Sequence, residues 1–260
     1  MRNKKIMKHF IRNFLLVLSF GIFGAGSLIV GYVIFPFVKF MFKNDERKLL
    51  QTYSLIIRVT WKKFSDTLKF FGLITIKIDD EEKLKSIKNS IIACTHPSFT
   101  DVLIMLSIIP NTSCIAAGKT KTNIFYKNMV NSMFITSDSS PEDLVKSAEK
   151  LFDNGFNLLV FPTGTRHNED EIPKIHKGIS LIAKRLRKDV IPVKISQSSR
   201  FLRIHQPFYE AGEDVAEYVI SVKDKINTDG FIENYPDEVD FKREFTKEIK
   251  KILFENNENT

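Results

Sequence analysis

The hydrophobic pattern begins with a long apolar segment. Residues 13–38 contain no charged side chain, and at about 1.5 Å of rise per residue a helix of that length exceeds a hydrocarbon layer of ~30 Å. We interpret residues 1–44 as a membrane anchor. Basic residues flank the segment on both sides, so the positive-inside rule gives no orientation. A spanning helix and a re-entrant hairpin both fit, because glycines and Pro36 offer places to bend.

A secretory signal peptide is a competing interpretation of this start, because the first residues are basic. The apolar core of a secretory signal peptide is shorter than residues 13–38, and a cleavage site made of small residues follows that core. No clear site of that kind follows here. We therefore favour the anchor.

The next segment, residues 45–72, has apolar side chains at helical spacing and basic ones opposite. The apolar positions are Leu49, Leu50, Tyr53, Ile56, Ile57, Trp61, Phe64, Leu68 and Phe71. This spacing predicts an amphipathic helix. Its basic face is typical of a helix lying on an anionic membrane surface. Packing of the apolar stripe on the domain core explains the same pattern equally well.

From residue 74 onward, short β-rich runs alternate with segments of helical periodicity. Strands are predicted near 74–78, 90–95, 113–117, 133–136, 156–161, 190–195 and 216–222, and helices near 97–109, 122–130, 141–153, 177–187 and 239–254. This alternation favours an α/β fold in which helices cover a largely parallel sheet. We predict one domain over residues 73–255, followed by a frayed tail at 256–260.

Composition and charge narrow the classes of protein. The chain is 43% hydrophobic and 27% charged, which excludes a disordered chain and one embedded throughout in a membrane. A net charge of +8 suits a nucleic acid, an anionic membrane or a phosphorylated substrate. The lysines are spread without a nucleic-acid-binding motif, so we expect no nucleic-acid partner. Cys94 and Cys114 lack metal-ligand spacing, and we expect both to be reduced and buried.

The first candidate for chemistry is the segment at residues 95–101, where a predicted strand meets a predicted helix. Four residues separate His96 from Asp101. A histidine can take a proton from a hydroxyl near neutral pH, and a carboxylate on its other ring nitrogen fixes the tautomer. We predict that this pair performs the proton chemistry. A rival pair with similar spacing, His205 and Glu210, lies outside any strand-to-helix junction and is expected to be structural.

A second apolar strand leads into a loop of small residues that ends in arginine. Gly164 lets backbone N–H groups approach a ligand, Thr165 offers a hydroxyl, and Arg166 carries a planar fork suited to phosphate oxygens. Lys177 opens the next predicted helix and would add a cation and a helix N-terminus. We predict an anion-binding site here. The alternative is a tight turn with a solvated arginine and an ordinary surface lysine.

A third segment, the strand predicted at 190–195, contains Pro192, which has no N–H to donate. We therefore expect an edge position or a bulge.

In this order the three segments resemble the motifs of the glycerolipid acyltransferase family, typified by 1-acylglycerol-3-phosphate acyltransferase. The family's Asn-His-x4-Asp motif is similar to residues 95–101, its Phe-Pro-Glu-Gly-Thr-Arg block to 161–166, and its Val/Ile-Pro-Val to 191–193.

The resemblance covers most of the chain and implies the family's α/β fold and an O-acyltransferase activity. It implies that His96 is the general base on the acceptor hydroxyl, that Asp101 is its partner, and that the arginine-ended loop helps to bind the acceptor. The donor would be an acyl carrier protein or coenzyme A thioester, and no metal or cofactor is expected. We expect transfer to a lyso-lipid or glycolipid-like acceptor, with the catalytic domain on the cytoplasmic face of a bacterial inner membrane.

Two departures from the family motifs bear on the acceptor. Thr163, which we also expect to contact the substrate, stands where the main branch has glutamate, and the second motif lacks its arginine, with Ser137 or Asp138 in that position. Lys119 is therefore a candidate cation of the site, beside Arg166 and Lys177. Because a phosphate monoester carries nearly two negative charges, these changes predict an acceptor other than lysophosphatidic acid.

The departures also suggest two narrower hypotheses. Residues 111–140, together with residues 35–36, look more like a bacterial subgroup linked to aryl polyene and related lipid synthesis. A catalytically inactive, lipid-binding or scaffold homologue is the alternative to an enzyme. The presence of both His96 and Asp101 favours the enzyme.

Overall fold

Seven strands form a single sheet in the computed structural model, which describes residues 2–168 and 172–255. The strands are β1 (Ile74–Ile78), β2 (Ile91–Cys94), β3 (Thr112–Ala116), β4 (Ile135–Thr136), β5 (Asn157–Val160), β6 (Val190–Gln197) and β7 (Ala216–Val222). Their order is β1, β7, β6, β2, β5, β3, β4, and only the pair β6 and β7 is antiparallel. The predicted α/β fold with a mostly parallel sheet is confirmed. The tail at 256–260 lies outside the described residues.

Helices cover both faces of this sheet. They are α1 (Arg2–Ile29), α2 (Phe35–Met41), α3 (Glu46–Phe70), α4 (Glu81–Lys85), α5 (Asp101–Ile108), α6 (Lys127–Met133), α7 (Pro141–Asp153), α8 (Gly178–Leu186), α9 (Thr228–Asn234) and α10 (Glu238–Lys250). The strands β2 and β5 are buried along their whole length, as expected between two helical layers. The sequence pattern missed α4 and α9, which are too short to show a helical period.

The edge position expected for Pro192 is wrong, because β6 lies inside the sheet between β2 and β7. The ladder with β7 begins only at Val193, and the Pro192 carbonyl accepts the Lys223 N–H at 2.9 Å. Since the N and O atoms of a strand residue face the same neighbour, the missing N–H points to where β7 has already ended. Proline is therefore tolerated at this end of the ladder, beyond the last residue of β7.

The apolar N-terminal segment is one helical run. α1 and α2 are joined without a break by a π-helical turn at Val30–Ile34, in which the Phe35 N–H bonds the Val30 carbonyl. Pro36 follows directly, and the wider turn accommodates a residue that lacks an N–H. The chain reverses only at residues 42–45, so the hairpin forms between this run and α3 and not within residues 13–38.

The two long helices of this hairpin pack on each other through aromatic rings. The Phe23 ring stacks on Phe64 with centroids 4.3 Å apart, and Phe35 stacks on Tyr53 at 4.0 Å. The apolar stripe of α3 is buried, and α3 also packs on α5. Of the two interpretations of residues 45–72, core packing therefore accounts for the stripe.

The opposite face of α1 is apolar and exposed. Its exposed side chains include Ile6, Met7, Phe10, Ile11, Phe14, Val17, Leu18, Ile22 and Ile29. By length and composition the helical run Ile6–Met41, with a mean hydropathy of 2.2, is able to cross a membrane. One face of the run is nevertheless docked on the domain.

Arg12 fixes that docking from inside the interface. Its side chain is buried, and the guanidinium donates to the backbone carbonyls of Gly72, Ala211, Gly212 and Asp214 at 2.6–3.4 Å. A planar group with five N–H donors is suited to bonding several carbonyls together. The start of α1 is thereby joined to two loops of the domain.

We predict that Arg12→Leu lowers the free energy of unfolding by about 2–3 kcal/mol, because buried carbonyls lose their donors. Thermal unfolding in detergent micelles would measure this through the fluorescence of the single tryptophan, Trp61, which packs against Phe23 of α1. Lys8→Leu is the matched control, since Lys8 is an exposed cation on the same helix. Equal midpoints for the two variants would contradict the docking role of Arg12.

Candidate functional site

Parallel strands bring the predicted site to one edge of the sheet. β5 pairs in parallel with β2 on one side and with β3 on the other. The segments that follow these strands, at residues 95–101, 117–122 and 161–166, therefore leave from the same edge. Both motif-bearing loops and Lys119 lie there.

His96 and Asp101 are in contact, as predicted. Nδ1 of His96 lies 2.9 Å from Oδ2 of Asp101, and the Asp101 side chain is fully buried while 18% of the His96 side chain is exposed. Since a carboxylate only accepts, Nδ1–H donates and Nε2 keeps its lone pair. The imidazole also stacks on the Phe161 ring, with centroids 4.2 Å apart. The arrangement presents an oriented, partly exposed proton acceptor.

Asp101 is held through a single oxygen. Oδ2 accepts the Ser98 N–H at 2.7 Å in addition to the His96 bond, whereas Oδ1 is buried and has no hydrogen-bond partner among the described residues. Asp101 is also the first residue of α5, where the positive end of the helix dipole favours a carboxylate. These interactions replace part of the water around the buried charge, at Oδ2.

A second histidine, which sequence reasoning missed, holds the backbone of His96. Nε2 of His167 accepts the His96 N–H at 3.2 Å, and the His167 N–H donates to the His96 carbonyl at 3.1 Å. Nδ1 of His167 lies 2.9 Å from the Asn168 carbonyl, which places the proton on Nδ1. The only sequence signal was position, because His167 directly follows Arg166 at the same junction.

The loop at residues 162–166 uses several of its polar groups internally. The Thr163 side chain is buried, and its hydroxyl donates to the Thr165 carbonyl at 2.7 Å. The Gly164 N–H donates to the Phe161 carbonyl at 2.9 Å, and Gly164 adopts a φ of 68°. Gly164 and Thr165 form the exposed tip of a tight turn. Thr163 thus stabilises the turn.

Arg166 joins two loops. Its Nη1 group donates to the carbonyls of Leu202 and Arg203 at 2.9 and 3.1 Å. The Leu202 carbonyl also accepts the Phe99 N–H at 3.1 Å, so this contact reaches the His96 loop. The Nε and Nη2 groups of Arg166 donate to no group in residues 2–168 and 172–255. They are the part of the guanidinium that remains for an anion.

The start of α8 lies beside the same loop. His176 donates its N–H to the Pro162 carbonyl at 2.8 Å, and its ring lies against Gly164. The next residue, Lys177, is exposed and occupies the N-cap position of α8 without a side-chain capping bond. The loop contact is thus made by His176, and Lys177 directly follows it in sequence.

An ion pair between Asp138 and Lys121 lies in the region that corresponds to the second family motif. Asp138 accepts from Nζ of Lys121 at 3.0 Å, and hydrogen bonds from Thr136 and Lys121 lower the pKa of its carboxyl group. Lys119 is exposed on the same short 3₁₀ segment, Gly118–Thr122. Lys121 is therefore engaged with Asp138, whereas Lys119 forms no ion pair within the described part of the chain.

The two cysteines are buried and free, as predicted. Burial raises the pKa of the Cys94 and Cys114 thiols. A thiol that stays protonated is a poor nucleophile. Neither cysteine competes with His96 for a chemical role.

Comparison with known proteins places this site in context. Residues 75–196 match the model of the Acyltransferase family. The 1-acyl-sn-glycerol-3-phosphate acyltransferase beta of Homo sapiens is 22% identical over 159 residues, and the 1-acyl-sn-glycerol-3-phosphate acyltransferase of Bacillus subtilis (strain 168) is 27% identical over 125 residues. These alignments cover 57% and 45% of this chain, and the chain spans 56% and 60% of the two relatives' lengths.

A solved structure matches the fold. The crystal structure of the 1-acyl-sn-glycerophosphate (LPA) acyltransferase from Thermotoga maritima superposes with a TM-score of 0.68 at 17% identity. The match covers 96% of this chain and 99% of that one. At this identity the likeness concerns the architecture, and the coverage extends it to the N-terminal helices.

We predict that Gly164→Ala strains the loop. An added Cβ would lie 3.0 Å from the His176 ring, and the left-handed backbone disfavours any side chain. We expect a loss of about 1–2 kcal/mol in the free energy of unfolding. The control is Gly178→Ala, a helical position where a Cβ would meet Leu144 at an ordinary 3.7 Å. Thermal unfolding midpoints that are equal in the two variants would contradict this account.

Proposed function

We propose, on the premise that residues 75–196 belong to the glycerolipid acyltransferase family, that the chain transfers a fatty acyl group from a thioester to a lipid hydroxyl. The observation that carries this proposal is the His96–Asp101 pair. A buried carboxylate holds a partly exposed imidazole at 2.9 Å. This is the geometry required of a general base at neutral pH.

The proposed chemistry follows from the His96 tautomer, in which Nδ1 carries the proton and Nε2 is free to accept one. Nε2 of His96 removes the proton of the acceptor hydroxyl as its oxygen attacks the thioester carbonyl carbon. The new C–O bond gives a tetrahedral oxyanion, which collapses with cleavage of the C–S bond. The departing sulfur takes the proton from the imidazolium, and the Asp101 carboxylate stabilises that imidazolium in between. Products are an ester and a free thiol.

The alternative of an inactive lipid-binding homologue rests on Thr163 and on the absent arginine of the second motif. Neither departure disturbs the proton acceptor. Thr163 stabilises its own turn, and the His96–Asp101 bond is formed. We therefore favour the enzyme.

The donor and the acceptor head group are further parts of the proposal. Both coenzyme A and an acyl carrier protein are anionic, which suits a chain of net charge +8. For an anionic head group, the free nitrogens of Arg166, the N-terminus of α8, Lys177 and Lys119 are the available contacts at this edge of the sheet.

The membrane is the proposed location, with the catalytic domain on the cytoplasmic face, where thioester donors are made. The exposed apolar face of α1 supports this location, since a face of that size is unfavourable in water. The other face is docked on the domain. The acceptor hydroxyl would thus meet the site at the lipid surface.

We predict that His96→Ala and Asp101→Asn each lower kcat by about 10²–10⁴-fold, because the first removes the base and the second fixes the wrong tautomer. Thiol release from acyl-coenzyme A and from acyl carrier protein, with vesicles of mixed lipid acceptors, would measure this. The control His205→Asn, at an exposed loop position, should keep parent activity. A His96→Ala protein that retained even roughly a tenth of the parent rate would overturn the assignment.

We predict that the preferred acceptor is not lysophosphatidic acid but a glycolipid, another lyso-lipid or a polyene-type hydroxyl. The pairing of Lys121 with Asp138 leaves one fewer free cation for a phosphate monoester, and the two carbonyls that accept from Nη1 of Arg166 leave fewer N–H donors. The names of the curated relatives make 1-acylglycerol 3-phosphate the reference in the acceptor panel. A preference for it of about tenfold or more in kcat/KM would reject the prediction.

A further inference from the structure

Three buried hydroxyl groups close a ring next to the His96–Asp101 pair. The Ser98 and Thr100 hydroxyls lie 2.9 Å apart, and the Tyr218 hydroxyl lies 2.8 Å from the first and 2.7 Å from the second. All three side chains are fully buried. In such a ring each hydroxyl donates one bond and accepts another, so all three are satisfied without water.

Tyr218 is the long-range member of this ring. It lies on β7, and its hydroxyl also accepts from Nε2 of Gln197 at 2.7 Å. Nε of Arg203 donates in turn to Oε1 of Gln197 at 2.9 Å, which fixes the Gln197 side chain. Burial, and then the charge of Asp101, raise the pKa of Tyr218, so its hydroxyl keeps its proton. The phenol is a rigid, neutral anchor.

Ser98 links the ring to the catalytic pair. Its hydroxyl accepts the Thr100 N–H at 3.1 Å, and its own N–H donates to Oδ2 of Asp101 at 2.7 Å. Apart from His96, this amide is the one donor to the Asp101 carboxylate among the described residues. The position of the carboxylate therefore depends on the position of Ser98.

We infer that Tyr218 is a positioning residue for the acyl transfer. Its hydroxyl fixes Ser98, the Ser98 amide fixes Asp101, and Asp101 holds His96 in the tautomer that leaves Nε2 as the base. This inference rests on the proposed function. Tyr218 lies beyond residues 75–196, the part of the chain that matches the family model.

The first test is Tyr218→Phe, which removes the hydroxyl and keeps the ring. We expect kcat to fall by about tenfold with little change in KM, because the lost bond orients the base without being a substrate contact. Tyr53→Phe is the matched control. Tyr53 is also buried, and its hydroxyl donates to the Phe35 carbonyl at 3.1 Å, outside the site. It should leave kcat unchanged even where it lowers stability.

The second test is the double variant with Ser98→Ala. Because both substitutions open the same ring, the loss in the double variant should be close to that of the more damaging single variant. Fully additive losses would contradict the inference. Should Tyr218→Phe fail to fold, the single variant Ser98→Ala tests the same series of hydrogen bonds.

A third readout needs no substrate. In protein labelled with ¹⁵N-histidine, the Nδ1 proton bonded to Asp101 should give a downfield NMR resonance, identified by its loss in His96→Ala. We expect this resonance to broaden or vanish in Tyr218→Phe and to persist in Tyr53→Phe. A parent protein that releases no thiol would reject the proposed function, while the resonance would still test the hydrogen-bond chain. An unchanged resonance and unchanged kcat in Tyr218→Phe would overturn the inference.

Discussion

A carboxylate that leaves water is stable only where hydrogen bonds or opposite charge replace its hydration. Asp101 sets this requirement for the site, since its side chain is fully buried. The Ser98 N–H and the imidazole of His96 meet it at Oδ2, and the start of α5 adds the positive end of a helix dipole, whereas Oδ1 has no hydrogen-bond partner among the described residues. The same bonds that stabilise the charge therefore also orient the base, and the fold around residues 95–101 cannot relax without affecting both.

The polar residues of the second loop serve mainly to hold loops together. The Thr163 hydroxyl closes its own turn, and Nη1 of Arg166 donates to two carbonyls of the segment that precedes β7. His167 accepts a hydrogen bond from the backbone N–H of His96. Sequence reasoning read the first two as ligand contacts, because side-chain type alone does not show which donors are already engaged. Under the proposed function, the Nε and Nη2 groups of Arg166 are the part of this loop that remains for a ligand.

The strands and the His96–Asp101 pair were predictable because both are local. Hydrophobic periodicity and a four-residue spacing are visible within a short window. The roles of His167 and Tyr218 were not predictable, since their bonds to His96 and Ser98 join residues 71 and 120 positions apart. The position of β6 was missed for a related reason. The N–H of a strand residue faces only one neighbouring strand, so proline is compatible with an interior strand where that neighbour ends, and β7 ends at Val222, before the position opposite Pro192.

The N-terminal helix gives the fold a direct connection between the exposed apolar surface and the site. The Phe20 ring of α1 lies 6.0 Å from Phe99, which belongs to the same loop as His96, and 5.3 Å from Phe64 of α3. Arg12 holds the start of α1 to the domain, so the helix cannot move away without breaking these hydrogen bonds. Under the proposed function, a lipid beside α1 lies next to the loop that carries the base. The acceptor would then reach His96 by sliding along one helix, with its hydrocarbon chain still in the membrane.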